Sequence, residues 1–362
     1  MSNTEAAASF VDAAISRSWD GEAAVEADHP ASGTSIGIFV HSTTLGPALG
    51  GTRLQRYAAR PDAAADGVRL AEAMTLKNAL AGLPIGGGKA VISAGAALPA
   101  GTQRKALMRF YGDLVEQLGG RYITAPDLNT SPRDMDVVSQ RTRHVVGKTP
   151  AHGGAGTTAV STAEAVCHSL RAVLSRLGLD AGEATVAVQG AGAVGSRLAA
   201  LLVQLGVRVK LADPRAELVK PLADRIGAAV VDPVGVLMEE CDVLAPCALG
   251  GVIDPQTIPR LRCHAIVGAA NNQLQDPDRD SRALHERGIV YIPDFLASCG
   301  GVLQGAGREV LGWTQEELDA RLAAVGETTA TILADAAANA EPPYLTALHE
   351  ARRRLRASAT EG

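Results

Sequence analysis

Several patterns that would assign a chain to a broad class of protein are absent from this sequence. The five cysteines form no C-x-x-C pair and no spacing suited to zinc, which is typical of a cytosolic protein. The eight histidines include no H-E-x-x-H or comparable grouping, so we expect no metal. No apolar run approaches about 18 residues, and the first five residues lack the features of a signal peptide. These absences predict a soluble cytoplasmic protein without a membrane partner.

The charge and length of the chain narrow its class further. A formal net charge of −5 argues against a nucleic-acid partner, which would require a basic excess or a basic stripe. We interpret the one basic cluster, residues 352–356, as a solvated face of a C-terminal helix. The 362 residues exceed what a single core usually supports, so two domains are expected.

Two lysines stand on either side of a glycine-rich segment in the first half of the chain. Lys77 lies on the same helical stripe as Leu70 and Met74, at the spacing of one apolar face. The glycine triplet at 86–88 predicts a sharp turn that another element can approach closely, and Lys89 then opens a strand. The two ammonium groups are therefore expected near one place.

Either lysine alone would be interpreted as a surface side chain whose ammonium group reaches solvent. Burial near apolar surface and a second cation both disfavour the charged form, which lowers the pKa of a lysine toward the range of a general base. The other lysine would then be a fixed positive charge for an anionic group of the substrate. The spacing alone does not decide whether Lys77 or Lys89 is the base.

Two further segments of the first half carry candidate site residues. Gly50 and Gly51 could present backbone N–H groups to a ligand, although paired glycines commonly form only a turn. Asp127 follows a predicted strand at 121–126, and Ser131 has the features of the N-cap of the next helix. Asp127 is therefore either a site carboxylate at the end of a strand or a turn residue bonded to its own backbone.

A glycine motif in the second half predicts a dinucleotide-binding fold. Gly190, Gly192 and Gly195 follow the strand 185–189 in the pattern G-x-G-x-x-G and precede a helix. The first glycine makes the turn, the second admits a pyrophosphate to the backbone, and the third packs the helix on the strand. Asp213 follows Gly195 by 18 residues (213 − 195), where a carboxylate binds the adenosine ribose and repels a 2′-phosphate.

This spacing favours NAD over NADP, although the nearby Arg215 leaves some NADP binding possible. Asn271 and Asn272 follow a later strand directly, where they could bind a carboxylate or a nicotinamide amide, or simply cap a helix. Strand-length apolar runs continue the alternation of strands and helices at 228–231, 243–248, 265–270 and 289–293.

Seven segments together resemble the glutamate/leucine/phenylalanine/valine dehydrogenases. They include Leu-Pro-Ile-Gly-Gly-Gly-Lys at 83–89 and Ala-Pro-Asp-Leu-Asn-Thr at 125–130, occur in the family's order and cover nearly the whole chain. The closest resemblance is to actinobacterial phenylalanine dehydrogenases, through residues 153–163 and 307–313. The remaining segments lie at 45–53, 73–77, 246–253, 268–272 and 293–295.

The resemblance implies an α/β fold of two domains with the active site in the cleft between them. The small, flexible residues at 150–156 suit a hinge between these domains. We expect an N-terminal substrate-binding and oligomerisation domain at 1–148 and a Rossmann NAD-binding domain at 149–340. A C-terminal helix at 341–362 is expected to pack back on the first domain, and a homo-oligomer is expected as the assembly.

The resemblance also implies reversible, NAD-dependent oxidative deamination of an L-amino acid to the 2-oxo acid and ammonium. By the family pattern Lys77 holds the substrate α-carboxylate, helped by Asn271 and the backbone of the paired glycines. Lys89 is the catalytic lysine that activates water, and Asp127 carries the proton to or from the amine. The predicted dinucleotide site comprises Gly190, Gly192, Ala193, Val194, Gly195, Asp213, Pro214, Arg215, Cys247, Ala248, Ala270, Asn271, Asn272 and Ser298.

The family positions that select the substrate side chain fall on Val302 and Gly305, with Leu49 and Met74 opposite. Relatives carry an aliphatic residue where this chain has Gly305, so the sequence predicts room for a large side chain. Phenylalanine, or another aromatic amino acid such as tryptophan or tyrosine, is therefore the expected substrate. A shift of the main chain or the side chain of Gln304 could refill the space.

Three alternatives stay open at this stage. The substrate could be a branched-chain amino acid, leucine or valine. A 2-hydroxy-acid dehydrogenase would need an arginine and histidine pair, and none stands out. A homologue that binds NAD but has weakened catalysis is suggested only by Ser298 and Cys299, which stand where the family usually has Asn-Ala and shorten a polar contact near the nicotinamide.

Overall fold

The computed structural model of the protein describes residues 19–95 and 97–361, so the chain start that lacks signal-peptide features lies outside the described residues. The chain folds into two compact units. The first contains the chain up to Gly156, Gly305–Gly312 and the chain from Arg352, and the second contains Thr157–Gln304 and Trp313–Ala351. The predicted domain bounds differ from these units at the hinge and in the C-terminal third, and they stay a prediction.

The first unit is built on a five-stranded mixed sheet with the strand order β1-β2-β4-β3-β5. Strand β3 is parallel to both of its neighbours, β4 and β5, whereas β2 is antiparallel to β1 and β4. The elements of this unit are β1 (Ala23–Asp28), β2 (Ser35–Ser42), β3 (Ala48–Arg56), α1 (Arg60–Leu80), β4 (Gly86–Ala94), α2 (Gly101–Gln117), β5 (Tyr122–Pro126), α3 (Pro132–Val138) and a 3₁₀ turn (Pro150–His152).

The glycine triplet does not form the predicted turn, because Gly86 already begins strand β4. The left-handed residue that reverses the chain after α1 is Gly82, with φ of 66°. The predicted close approach is confirmed, since a Cβ on Gly87 would lie only 2.1 Å from the backbone nitrogen of Thr75 in α1. The glycines therefore serve packing of helix α1 directly on the strand that carries Lys89.

The second unit contains a six-stranded parallel sheet in the order β11-β10-β9-β6-β7-β8, which is the order of a Rossmann fold. The predicted strand at 185–189 is confirmed, and the four later apolar runs form strands that are shorter than predicted. The strands are β6 (Thr185–Gln189), β7 (Arg208–Ala212), β8 (Ala229–Val230), β9 (Val243–Pro246), β10 (Ala265–Ile266) and β11 (Val290–Tyr291).

One long helix of the second unit begins with a reciprocal cap. Thr314 caps α10 by accepting from the backbone N–H of Glu317, whose side chain accepts from the N–H of Thr314. The helices are α4 (Ala159–Leu177), α5 (Gly195–Gln204), α6 (Ala216–Ile226), α7 (Pro277–Glu286), α8 (Asp294–Ala297) and α10 (Gln315–Asn339), with 3₁₀ turns at Val236–Met238 and Ile258–Arg260. Residues of α9 (Gly300–Glu309) and α11 (Pro343–Glu361) are divided between the two units.

The basic cluster near the C-terminus is not wholly solvated, contrary to the prediction. Arg354 donates to the carbonyl oxygens of Ala79 and Leu80 at the end of α1, at 3.2 and 2.8 Å. A cation at this position satisfies carbonyls that have no partner within the helix and complements the helix dipole. Among the described residues, no helix is long and apolar enough to cross a membrane.

Candidate active site

Lys89 and Asp127 meet on the sheet of the first unit. Thr52 of β3 is aligned with Ala90 of β4 and with Pro126 of β5. Lys89, next to Ala90, and Asp127, next to Pro126, therefore lie on either side of β3. Nζ of Lys89 lies 2.8 Å from Oδ2 of Asp127, and the lysine side chain is only 6% exposed. The two residues that the sequence predicts as catalytic therefore form an ion pair in which the lysine is buried and the aspartate is partly exposed.

The paired glycines are needed for this approach. A Cβ on Gly50 would lie 1.7 Å from the carbonyl oxygen of Gly88 in β4, and one on Gly51 would lie 2.7 Å from the Cβ of Asp127. Both glycines lie within strand β3 rather than in a turn. The absence of side chains therefore lets Asp127 lie against the strand, while the predicted binding of substrate by the glycine backbone stays a prediction.

Two residues that the sequence did not single out complete the charges around Asp127. Nε of Arg53 donates to Oδ2 of Asp127 at 3.2 Å, and Nη1 of Arg53 donates to Oδ2 of Asp66 at 3.1 Å. The hydroxyl of Tyr57 donates to the same oxygen of Asp66 at 2.7 Å. The sequence does contain a signal that could have identified Arg53. Side chains alternate in a strand, which puts Arg53 on the same face as Gly51.

The surroundings of the pair favour loss of the proton from Lys89 and keep the carboxylate of Asp127 ionised. Burial lowers the pKa of Lys89 below its usual value, and the charges of Arg53 and Lys77 lower it further, while Asp127 opposes them. For Asp127, burial raises the pKa, but the charges of Lys89 and Arg53 outweigh it and hold the pKa at about 2. The arrangement thus contains a lysine that loses its proton more readily than usual beside a carboxylate that stays ionised.

The predicted substrate-binding residues of the first unit lie on the same elements. Lys77 and Met74 are half-buried in α1, the helix that packs on β4, and Leu49 is buried in β3. The charge of Lys77 contributes to lowering the pKa of Lys89, so the two lysines lie within electrostatic reach of each other. The geometry leaves Lys77 the more exposed of the two lysines and therefore the better placed to meet a ligand from solvent.

The space beside Gly305 is not refilled by Gln304. The side-chain amide of Gln304 accepts from the hydroxyl of Ser161 at 2.8 Å and donates to the carbonyl of Thr157 at 3.3 Å. A Cβ on Gly305 would have one neighbour within 4 Å, a methyl carbon of Val146 at 3.8 Å. Neither a steric clash nor a left-handed backbone therefore requires glycine at this position of α9. Val302, one turn earlier in the same helix, is half-buried.

The glycine motif of the second unit has the geometry of a phosphate-binding turn. Gly190 has a φ of 103°, which only glycine adopts readily, and a Cβ on Gly195 would lie 2.0 Å from the carbonyl oxygen of Gly190. A Cβ on Gly192 would meet nothing within 4 Å, so a ligand can approach the backbone there. Ala193 and Val194 follow in the turn, and helix α5 begins at Gly195. These residues fit a pyrophosphate at a helix N-terminus.

The carboxylate of Asp213 is held by four donors at the end of β7. The backbone N–H of Ala191 donates to Oδ2 at 2.9 Å, and the backbone N–H of Arg215 donates to Oδ1 at 3.0 Å. Nε and Nη2 of Arg215 add bonds of 2.9 and 3.0 Å to the two oxygens. The side-chain bonds from Arg215 are the main reason that the pKa of Asp213 lies well below its usual value. Arg215 therefore covers the carboxylate that the sequence predicts to bind ribose.

The other predicted cofactor residues follow neighbouring strands of the same parallel sheet. Cys247 donates its backbone N–H to Gln189 of β6, and a Cβ on Gly190 would lie 2.9 Å from the Cβ of Ala248. The backbone N–H of Asn272 donates to a carboxylate oxygen of Asp294 at 3.0 Å. Pro214, Ala270 and Asn271 also follow strands of this sheet, β7 for the first and β10 for the other two, whereas Ser298 follows the short helix α8.

Ser298 is already engaged by its own helix. Its hydroxyl donates to the carbonyl oxygen of Asp294 at 2.7 Å, and the residue is 7% exposed. This is a local bond across one helical turn, which a serine makes without any ligand. The contact of Ser298 with a nicotinamide stays a prediction.

Comparison with known proteins assigns the family. A family model described as the dimerisation domain of Glu/Leu/Phe/Val dehydrogenases matches residues 26–144, and one described as Glutamate/Leucine/Phenylalanine/Valine dehydrogenase matches residues 215–359. The chain belongs to the Glu/Leu/Phe/Val dehydrogenase family. It is therefore an amino acid dehydrogenase by family, and its cofactor is a nicotinamide dinucleotide.

Individual relatives extend along most of the chain. A leucine dehydrogenase of Geobacillus stearothermophilus is 38% identical over 90% of this chain and 88% of its own. A valine dehydrogenase of Streptomyces albus is 40% identical over 90% of this chain and 89% of its own. The solved structure of an L-tryptophan dehydrogenase from Nostoc punctiforme has a TM-score of 0.81 at 32% identity, and covers 94% of this chain and 98% of that one.

These findings confirm the broader predictions and leave the narrower ones open. The two-domain α/β fold with a Rossmann-type sheet and the family itself are confirmed. The relatives named above are leucine, valine and tryptophan dehydrogenases, so the narrower resemblance to phenylalanine dehydrogenases stays a prediction. The roles of the individual site residues likewise stay predictions.

Proposed function

We propose that this protein catalyses the reversible, NAD-dependent oxidative deamination of an L-amino acid with a large, preferably aromatic side chain. The observation that carries the reaction is the ion pair of buried Lys89 with Asp127, with its 2.8 Å separation. The observation that carries the substrate preference is the space beside Gly305.

Lys77 is the proposed anchor of the substrate α-carboxylate. It is half-buried on helix α1, close enough to Lys89 to lower the pKa of that residue, and more exposed than Lys89. A lysine ammonium group pairs well with a carboxylate. Asn271 and the backbone of Gly50 and Gly51 are proposed to assist on the strength of the family resemblance.

Lys89 and Asp127 are the proposed proton carriers. NAD, when bound at the glycine motif, would supply the hydride acceptor that oxidises the amino acid to an imino acid. Neutral Lys89 then takes a proton from a water molecule as the water attacks the imino carbon. Asp127 takes a proton from the substrate ammonium group before the hydride leaves, and returns it to the amine nitrogen as the carbon–nitrogen bond breaks. The proton released from the hydroxyl of the water adduct converts the ammonia to ammonium, the 2-oxo acid leaves, and Lys89 releases its proton to solvent. Because the two groups lie in contact, they titrate as a pair, and loss of the lysine proton raises the proton affinity of Asp127.

NAD is the proposed cofactor because the acidic residue at the end of β7 is present. Asp213 is suited to bind the two hydroxyls of an adenosine ribose and to repel a 2′-phosphate. Arg215 would have to move from Asp213 to admit those hydroxyls, and it carries the opposite charge to a 2′-phosphate. We therefore propose NAD as the preferred cofactor, with measurable use of NADP.

The size of the substrate follows from residues 304 and 305. Glycine within a helix costs about 1 kcal/mol relative to alanine, and an alanine would fit beside Val146 without a clash. Glycine at a helical position that would accept alanine is explained if a ligand occupies the space beside it. Since Gln304 is bonded to Ser161 and Thr157, it does not compete for that volume. The solved tryptophan dehydrogenase agrees with an aromatic substrate.

A branched-chain amino acid is the second candidate substrate, because relatives at 38% and 40% identity are leucine and valine dehydrogenases. The test is a spectrophotometric assay of NADH formation with each L-amino acid, with NADP in place of NAD as the control. We expect the highest kcat/KM with an aromatic amino acid. Much faster turnover with leucine or valine would establish the second candidate instead.

We also propose that the protein works as a homo-oligomer, since residues 26–144 match a region described as a dimerisation domain. Light scattering coupled to size-exclusion chromatography tests this directly. A particle with the mass of one 37.2 kDa chain at micromolar concentration would contradict it.

A further inference from the structure

Four side chains of alternating charge form a row in the first unit, which runs from strand β4 to helix α1. Lys89 contacts Asp127, Asp127 contacts Arg53, and Arg53 contacts Asp66, at 2.8, 3.2 and 3.1 Å. None of the four side chains is more than 21% exposed. Because an unpaired buried charge is strongly unfavourable, a row of this kind is stable only when every member keeps its neighbours.

Arg53 is fixed at both of its ends. Its Nε bonds Asp127 and its Nη1 bonds Asp66, so the planar guanidinium lies between two carboxylates. Asp66 is itself held by the hydroxyl of Tyr57 at 2.7 Å and by Nη2 of Arg69 at 2.6 Å. The bond from Arg53 therefore limits the orientation of the Asp127 carboxylate.

We infer that Arg53 is a positioning residue for the proposed deamination, which holds Asp127 in register with Lys89 and is held in turn by Asp66. The inference rests on the proposed function of the lysine–aspartate pair. Both Lys89 and Arg53 bond the same oxygen, Oδ2, of Asp127. This turns the carboxylate so that Oδ1 is the oxygen available to exchange a proton with the amine.

Arg53 also acts on the base through charge. The groups that face Lys89 are Asp127 at the end of β5, Arg53 on β3 and Lys77 on α1. Burial is the main cause that lowers the pKa of Lys89, and the positive charges of Arg53 and Lys77 add to it. Removal of the positive charge at position 53 must therefore raise the pKa of Lys89, and with it the pH at which the lysine becomes neutral.

The test compares pH–rate profiles of the full-length enzyme with its best amino acid and saturating NAD. In Arg53→Gln we expect kcat to fall by about 10- to 100-fold and the alkaline midpoint of kcat/KM to move to higher pH. Arg53→Lys keeps the charge but cannot bond both carboxylates in the same way, so kcat falls while the midpoint stays near that of the wild type. KM for the amino acid is expected to change little, because Arg53 does not hold the α-carboxylate. Arg53→Met provides a second neutral variant should the glutamine variant fold poorly.

Arg104 provides the matched control, because it forms a partly buried pair with Asp134 in the same unit, with Nε–Oδ1 at 2.6 Å. Arg104→Gln should lower thermal stability without moving the midpoint. If both neutral variants at position 53 lose activity with an unmoved midpoint, as a purely structural residue would, the inference is wrong. That result differs from failure of the proposed function. In that case none of the L-amino acids would support reduction of NAD by the wild-type enzyme.

Discussion

Gly51 and Asp127 lie so close together that a Cβ on the glycine would stand 2.7 Å from the Cβ of the aspartate. A methyl group at position 51 must push Asp127 away from Lys89, because no real pair of Cβ atoms approaches so closely. For Gly51→Ala we expect kcat to fall by about 10²-fold, since displacement of a catalytic group by about 1 Å costs this much.

Gly95 offers the control for this substitution, because a Cβ there meets nothing within 4 Å. Gly95→Ala should leave kcat and KM within twofold of the wild type. Steady-state rates of the two variants, with circular dichroism to verify folding, make the comparison. Equal activity of both variants would show that the position of Asp127 does not matter for turnover.

Lys89→Ala separates catalysis from cofactor binding. Lys89 lies in the first unit, and the glycine motif at 190–195 that fits a pyrophosphate lies in the second. Turnover should fall by about 10²- to 10⁴-fold through loss of the general base. The Kd for NAD, measured by isothermal titration calorimetry, should stay close to that of the wild type. Unchanged turnover would remove Lys89 from its proposed role.

The pH dependence of deamination should follow the ionisation of Lys89. The lysine acts as a base only when it is neutral, so kcat/KM rises with pH and levels off above its pKa. Burial lowers this pKa below the ordinary lysine value of 10.5, so the midpoint should lie below that pH. The pKa of Asp127, at about 2, is too low to add an acid limb in the usual assay range. A midpoint at or above 10.5 would contradict the assignment.

Cofactor choice should depend on the pair of Asp213 and Arg215. In Arg215→Gln the carboxylate of Asp213 loses two charged donors and is open to the ribose hydroxyls, so KM for NAD should fall. The same change removes the cation that could meet a 2′-phosphate, so kcat/KM with NADP should also fall. Initial rates with both cofactors test the prediction, and Arg225→Gln, at an exposed position in the last turn of helix α6, serves as a control. A rise in NADP use would contradict it.

The sequence predicts the parts of the site that depend on local pattern. The turn at Gly190, the strand and helix beside it, and the cap at Ser131 all follow from residues within a few positions of one another. The contact of Arg53 with Asp127 could not be predicted, because it depends on the alignment of two residues that lie 74 positions apart in the chain. The prediction of a turn at the glycine triplet was wrong for a related reason. The conformational freedom of glycine suggests a turn, but these glycines lie in a strand, where their missing side chains let helix α1 pack closely.

Gly305 provides the most direct test of substrate choice. A Cβ at this position fits beside Val146 at 3.8 Å, so Gly305→Ala should fold normally. Because alanine favours the helix and restricts the unfolded chain, the melting temperature should rise by about 2 °C. If the space beside Gly305 holds the substrate side chain, the added methyl group should lower kcat/KM for phenylalanine and tryptophan by about 10- to 200-fold.

The same variant should retain or gain activity with valine and leucine, whose side chains leave room for the methyl group. Substitution to valine would extend the trend, since a larger side chain fills more of the volume. The measurement is the ratio of kcat/KM values for an aromatic and a branched-chain amino acid, determined for the wild type and both variants under one set of conditions. A raised melting temperature with an unchanged ratio would show that the enzyme folds correctly and that the substrate side chain lies elsewhere.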